Sequence, residues 1–195
     1  MAQARSLRPP SRAKLRRRRR RAISLFVYVV IVFGLAWFAT SRATTTIIFV
    51  RHSEKDLNAE NDPSLSDAGW RRTAELTRQL VDADVVAGID AIYATPFKRA
   101  QETGKPLAEA LNLPINSYDE TDRESVLETI LRNHKGKIIL VIGHSDTLPE
   151  LIANLGASKK VPPINEFEYD NIYIISIPWF GKTKTIRLRF GKPYS

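Results

Sequence analysis

The chain has 195 residues, no cysteine, and 30 Lys plus Arg against 21 Asp plus Glu, a net charge of +9. That length holds one ordinary domain rather than two. An apolar share of 43% excludes wholesale disorder, and the lack of cysteine excludes a disulfide scaffold, a thiolate zinc site and a thiol nucleophile.

The charge surplus sits in residues 1–21: Arg5, Arg8, Arg12, Lys14 and the run Arg16 to Arg21 make ten basic residues with no acid, which leaves 20 basic against 21 acidic groups elsewhere. The rest of the chain is thus near neutral, and no nucleic-acid partner is expected. Nineteen uncharged residues follow, Ala22 to Thr40. As a helix they reach about 28 Å, close to the thickness of a bilayer's hydrocarbon core. Tyr28 and Trp37 suit interfacial positions, and only Arg42 closely follows the span. The positive-inside rule then holds the N-terminus in the cytoplasm and places the remainder in the periplasm or outside. The expected organisation is a basic cytoplasmic tail (1–21), a transmembrane signal-anchor (22–40) and a folded domain (44–195). A cleaved signal peptide with its site at Ser41-Arg42-Ala43 is the rival reading. The basic run is read as a topology determinant against the cytoplasmic leaflet; lipid or RNA binding is the alternative.

Beyond residue 44 apolar runs alternate with amphipathic stretches. Thr46–Val50, Ile89–Tyr93 and Lys137–Ile142 read as buried strands. A helix capped by Ser66 runs to about Ala83, with Ala68, Arg72, Leu76 and Leu80 at helical spacing. A second covers about Pro96–Leu111, threatened by Gly104 and Pro106. A third covers about Asp122–His134 before Gly136, and a fourth starts near Asp146. Asn171–Ile177 and Lys184–Phe190 form a hairpin through Pro178-Trp-Phe-Gly181. This order predicts an α/β fold: a three-layer α/β/α sandwich whose mostly parallel sheet has one antiparallel edge.

Two of the three histidines, His52 and His144, stand just past the C-terminal ends of apolar strands, the edge where open α/β sheets bind ligands. Arg51 precedes His52, and Arg99 follows the second strand. Guanidinium groups bind phosphoryl oxygens and stay charged, so two His and two Arg at one edge suit phosphoryl chemistry. Neutral imidazole can attack phosphorus directly, and nothing in the pattern calls for a metal or other cofactor. His134, at a helix end, reads as a solvated surface residue.

These residues carry a resemblance. Arg51-His52-Ser53-Glu54, Leu65-Ser66 with Gly69, Thr95-Pro-Phe-Lys-Arg-Ala-Gln-Glu-Thr103 and Gly143-His144 resemble, in order, four motifs of the histidine phosphatase superfamily, the phosphoglycerate-mutase-like fold. The resemblance implies that His52 becomes phosphohistidine, that Arg51, Arg99 and His144 bind the phosphoryl oxygens, and that Ser53 stands beside the substrate in place of the usual Gly. Gly104 replaces a usual Ala. The segment that often supplies a mutase's general acid has no clear match. Glu120 and Asp122 lie in that region, and Asp146 is the third candidate, either as the acid or as the N-cap of its helix. Glu54 either touches the site or pairs with Lys55. Glu166–Asp170 and Trp179-Phe180 are read as a loop edge and a hairpin tip, with a partner or membrane surface as the alternative.

The resulting expectation is a membrane-anchored phosphatase that acts without metal on a small phosphorylated substrate. A phosphohistidine-protein phosphatase and a non-catalytic phosphoryl-binding module are the alternatives.

Overall fold

In a computed structural model the structure describes residues 12–41, 44–58, 61–82, 88–157 and 161–192. The chain divides into two compact units between Ser41 and Arg42. The first is one helix, α1 (Arg12–Ser41). It begins well before the apolar stretch because Arg and Lys are themselves good helix formers. Its segment Arg16–Phe38 is long and apolar enough to cross a membrane, and none of it is buried. The proposed cleavage site at 41–43 lies mostly outside the described residues.

The second unit is built on a six-stranded sheet of order β3-β2-β4-β1-β5-β6. The strands are β1 (Thr44–Arg51), β2 (Ala91–Ala94), β3 (Ile115–Ser117), β4 (Ile138–Gly143), β5 (Asn171–Pro178) and β6 (Lys184–Arg189). β1 to β4 run parallel, and β5 and β6 add the antiparallel edge. Helices α2 (Asp67–Asp82), α3 (Lys98–Leu111), α4 (Arg123–Asn133) and α5 (Leu148–Asn154) complete the fold.

Alternation along β1 explains the layering. Ile47 and Phe49 join Ile130 of α4 and Leu151 of α5 on one face. Ile48 and Val50 join Leu76 of α2 and Leu107 of α3 on the other. Both faces are covered, so the strand reads as a continuous apolar run. The expected three-layer sandwich with an antiparallel hairpin edge is the observed one.

Several local expectations change. Ser66 caps α2 by accepting from the Gly69 N–H (3.1 Å), but the inward face is Gly69, Thr73 and Leu76, with Ala68 exposed. A Cβ at residue 69 would overlap the Glu54 carbonyl, which is why glycine stands in this motif. Ala83 lies outside the described residues. α3 continues through Pro106. The proline forfeits one bond to the Glu102 carbonyl, while burial of Leu107 and Ala108 holds the last turn against the core. Gly104 is packed by Ile142 and Ile115, whose terminal methyls fill the space an Ala methyl would need. β3 is not expected from the sequence: it is three residues long, with one apolar side chain. His134 is half-buried rather than solvated, with Nε2 2.9 Å from the Tyr93 hydroxyl.

Candidate active site

The parallel pairing of β1 with β4 sets Arg51 opposite Gly143. His52 and His144 therefore leave the sheet side by side, and the His52 N–H donates to the Gly143 carbonyl (3.0 Å). Their ring centroids are 5.1 Å apart. Glycine at 143 admits the Tyr118 hydroxyl, which donates to the Ile142 carbonyl (3.2 Å) and closes the floor behind His144.

Each imidazole has a defined tautomer. His52 Nδ1 is 2.7 Å from the Ser53 carbonyl. A carbonyl only accepts, so Nδ1 carries the proton and Nε2 presents a lone pair. Arg99 Nε donates to that Nε2 (3.3 Å). His144 Nε2 lies 3.2 Å from a Glu120 carboxylate oxygen and 2.9 Å from the Thr95 hydroxyl. The carboxylate fixes the proton on Nε2, leaving Nδ1 to face Arg99 Nη2 at 3.5 Å. One guanidinium thus spans both rings.

Arg99 is itself held. Its guanidinium lies over the Phe97 ring, 4.4 Å from the ring centroid. Its Nη1 is 3.8 Å from Asp62, and the same carboxylate accepts from the Lys98 N–H (3.0 Å), capping α3 from outside the helix. Asp62 has a positive φ of 41°, a conformation costly for a non-glycine residue and secured here by those contacts. Arg51 is buried. Its Nη1 donates to the carbonyls of Asn165 (2.9 Å) and Glu168 (3.2 Å), and its guanidinium lies 4.1 Å from the Tyr169 ring centroid. Its Nε is buried with no hydrogen-bond partner among the described residues, a donor in want of an acceptor.

Burial pushes both imidazoles down, His52 to about 3 and His144 to about 4, with neighbouring arginines adding to the effect. Asp146 works in the other direction on His144. Both rings are therefore neutral at physiological pH. Because the unfolded histidine titrates near 6.5, the unfolded chain takes up protons below that pH that the folded chain refuses. The histidine-dependent part of stability is complete above about pH 6.5 and falls as pH drops through about 4 towards about 3. Urea unfolding of the whole chain should thus show a lower midpoint at about pH 5 than at about pH 7.5, at unchanged slope. His52→Gln should reduce that difference. Equal midpoints at the two pH values would contradict the burial of neutral imidazoles.

A cleft of about 720 Å³ opens over these groups, lined among others by Arg51, His52, Lys55, Arg99, Glu120, His144, Asp146 and Glu166. The structure thus brings together Arg51, His52, Arg99, His144 and Asp146. Ser53 is placed otherwise. It is buried beneath the cleft, its Oγ accepting from the Thr73 hydroxyl (2.9 Å) and its N–H donating to Thr103 (2.9 Å), and it does not line the cleft. Its small size is needed for packing between α2 and α3. Asp146 is not the N-cap of α5: Thr147 holds that position, and Asp146 is exposed at the cleft. Asp122 caps α4 through the Ser125 N–H (3.2 Å) and stands away from the cleft. Glu54 pairs with Arg72 (2.7 Å), neither with the site nor with Lys55. The segment expected to be a loop edge, Glu166–Asp170, supplies a wall: Glu166 lines the cleft, and Glu168 and Tyr169 hold Arg51. No group of three or more His, Cys, Asp or Glu among the described residues could hold a metal ion.

Residues 47–123 match the family model of the histidine phosphatase superfamily (branch 1). A protein described as a phosphohistidine phosphatase SixA homolog, from Haemophilus influenzae, is 22% identical over 162 residues, covering 75% of this chain and 96% of that protein. The solved structure of the protein histidine phosphatase SixA complexed with tungstate superposes with a TM-score of 0.60 at 22% identity, over 74% of this chain and 96% of that one. A mycobacterial glucosyl-3-phosphoglycerate phosphatase gives 0.56 at 13% identity over 75% and 98%. Phosphoglycerate mutase from Plasmodium falciparum gives 0.57 at 16% over 78% and 96%.

Proposed function

The chain carries a histidine phosphatase superfamily domain, and from that premise we propose that it hydrolyses phosphomonoesters through a phosphohistidine on His52, without a metal, on the far side of a membrane that residues 22–40 cross. The observation that carries the reading is the neutral His52 Nε2 lone pair facing Arg99 at 3.3 Å, with His144 beside it.

In the first half-reaction a phosphoryl oxygen accepts the Arg99 N–H groups and the unpartnered Arg51 Nε–H. The lone pair of His52 Nε2 is then free to form the N–P bond as the ester P–O bond breaks. Negative charge grows on the phosphoryl oxygens and the leaving oxygen in that passage, and fixed cations favour it more than they favour the ground state. The leaving oxygen takes a proton from a carboxylic acid at the cleft. Asp146 is that group: it stands just ahead of α5, exposed at the cleft, and it accepts no hydrogen bond from a described residue. Glu120 instead holds His144 Nε2. In the second half-reaction water attacks phosphorus, the N–P bond breaks, and the water's proton returns to the same carboxylate.

Ten positive charges ahead of the apolar span and one shortly after it support a cytoplasmic N-terminus and an exported domain. A second reading, hydrolysis of phosphohistidine on a protein, draws on the description of the Haemophilus relative.

Phosphate release by the full chain in detergent tests both, with phosphosugars, phospholipid head groups, phosphoserine peptides and phosphohistidine peptides as substrates. Turnover of the small esters is expected. Turnover of phosphohistidine peptides alone would select the second reading, and phosphate release from none of them would overturn the enzyme.

A further inference from the structure

The two most exposed large apolar side chains among the described residues are Phe180 (92%) and Trp179 (86%), adjacent in the turn between β5 and β6. No packing among the described residues uses them, and a hairpin turn ordinarily carries small polar residues. Gly181 beside them has φ of 116°, and the exposed Lys182 and Lys184 follow. The tip therefore presents two large apolar groups with two ammonium groups next to them.

The sheet register says what lies near this tip. Thr44 pairs with Pro178, the residue immediately before Trp179. Thr44 is also the third residue after Ser41, where the apolar helix ends. Only residues 42 and 43 separate the apolar helix from β1 in the sequence, so the strand that pairs with this turn begins within a few residues of the anchor. With residues 22–40 in a bilayer, the end of α1 is at the membrane–water boundary.

We propose that the β5–β6 turn is a second membrane contact. Trp179 and Phe180 enter the interfacial zone of the bilayer, and Lys182 and Lys184 face anionic head groups. Trp favours that zone because one end of its ring is apolar and the other donates a hydrogen bond. Lysines near the surface of an anionic leaflet add attraction that salt weakens. The proposal rests on the reading of residues 22–40 as an anchor. It adds a consequence that an anchor alone lacks: a single helix on a short tether leaves the domain free to tumble, whereas two contacts hold β1 at a fixed inclination to the membrane.

The test uses the full chain in vesicles of phosphatidylcholine and phosphatidylglycerol whose acyl chains carry bromine at defined depths. The double variant Trp37→Phe/Trp70→Phe leaves Trp179 as the fluorophore, and Trp70→Phe/Trp179→Phe leaves Trp37; circular dichroism checks that each is folded. The expected result is loss of most Trp179 emission to bromine near the head groups, protection from iodide in the water, and weaker quenching when phosphatidylglycerol is omitted. Trp37 should be quenched in its own variant. Trp179 quenched by iodide but not by lipid bromine, with Trp37 quenched by lipid, would overturn the second contact and leave the anchor standing. Trp37 untouched by lipid bromine would overturn the anchor, and the proposal with it. Trp179 protected from both quenchers would mean that a protein surface covers the tip, which also overturns the proposal.

Discussion

His52→Ala is expected to abolish turnover, a loss on the order of 10⁴-fold or more, as for removal of a covalent nucleophile elsewhere. No neighbouring group can replace it. His144 is the nearest alternative imidazole, but its Nε2 is engaged by Glu120 and Thr95, and its Nδ1 lies 3.5 Å from Arg99 Nη2. Its role in the site is to accept from Arg99 and hold it in place, not to attack. Trapping with radiolabelled substrate and an acid quench should give an acid-labile label on wild type and none on His52→Ala. Equal labelling of the two proteins would remove the covalent step. A misfolded variant is distinguished by circular dichroism. Removing a buried neutral ring leaves a cavity but no stranded charge, so the fold should survive.

Arg99→Ala should slow turnover by about 10²–10³-fold, the range for loss of one preorganised donor to a developing charge. Two of its nitrogens, Nε and Nη2, reach the two imidazoles, so one side chain sets the distance across the site. Arg99→Lys keeps the charge but cannot direct two donors in one plane. It should recover a minor part of the loss, read as kcat rather than as KM. Full recovery by lysine would mean that charge alone matters and that the two-pronged geometry does not.

The parts of this site that the sequence discloses share a property: each is a polar residue at the end of an apolar strand or at the start of the following helix. His52, His144, Arg51 and Arg99 stand out because strand burial makes their neighbours uniformly apolar, so position along the chain is also position at the sheet edge. The parts it conceals work through the backbone or across long separations. Tyr169 and the carbonyls of Asn165 and Glu168 meet Arg51 more than a hundred residues away, and a carbonyl has no sequence signature. Asp62 reaches Lys98 and Arg99 from a loop whose conformation no periodicity encodes. Asp146 and Asp122 show the converse difficulty. Both are good capping residues just ahead of a helix, and only the position of the helix start, Leu148 in one case and Arg123 in the other, decides which one caps. β3 escapes notice because a three-residue edge strand here carries only one half-buried apolar side chain, Ile115.

The strand β1 does two jobs at its two ends: Thr44 meets Pro178 at one, and Arg51 enters the cleft at the other. Eight residues of strand separate those ends by about 23 Å. In physiological salt the field of a charged surface decays over about 8 Å. A phosphate held at Arg51 is therefore nearly three decay lengths from anything that touches Thr44. If β1 rises along the membrane normal in the two-contact arrangement proposed above, the negative potential of an anionic leaflet, which would repel a phosphorylated substrate at contact, would fall to a few per cent at the cleft. The strand would then act as an electrostatic stand-off that decouples substrate capture from the lipid composition of the membrane.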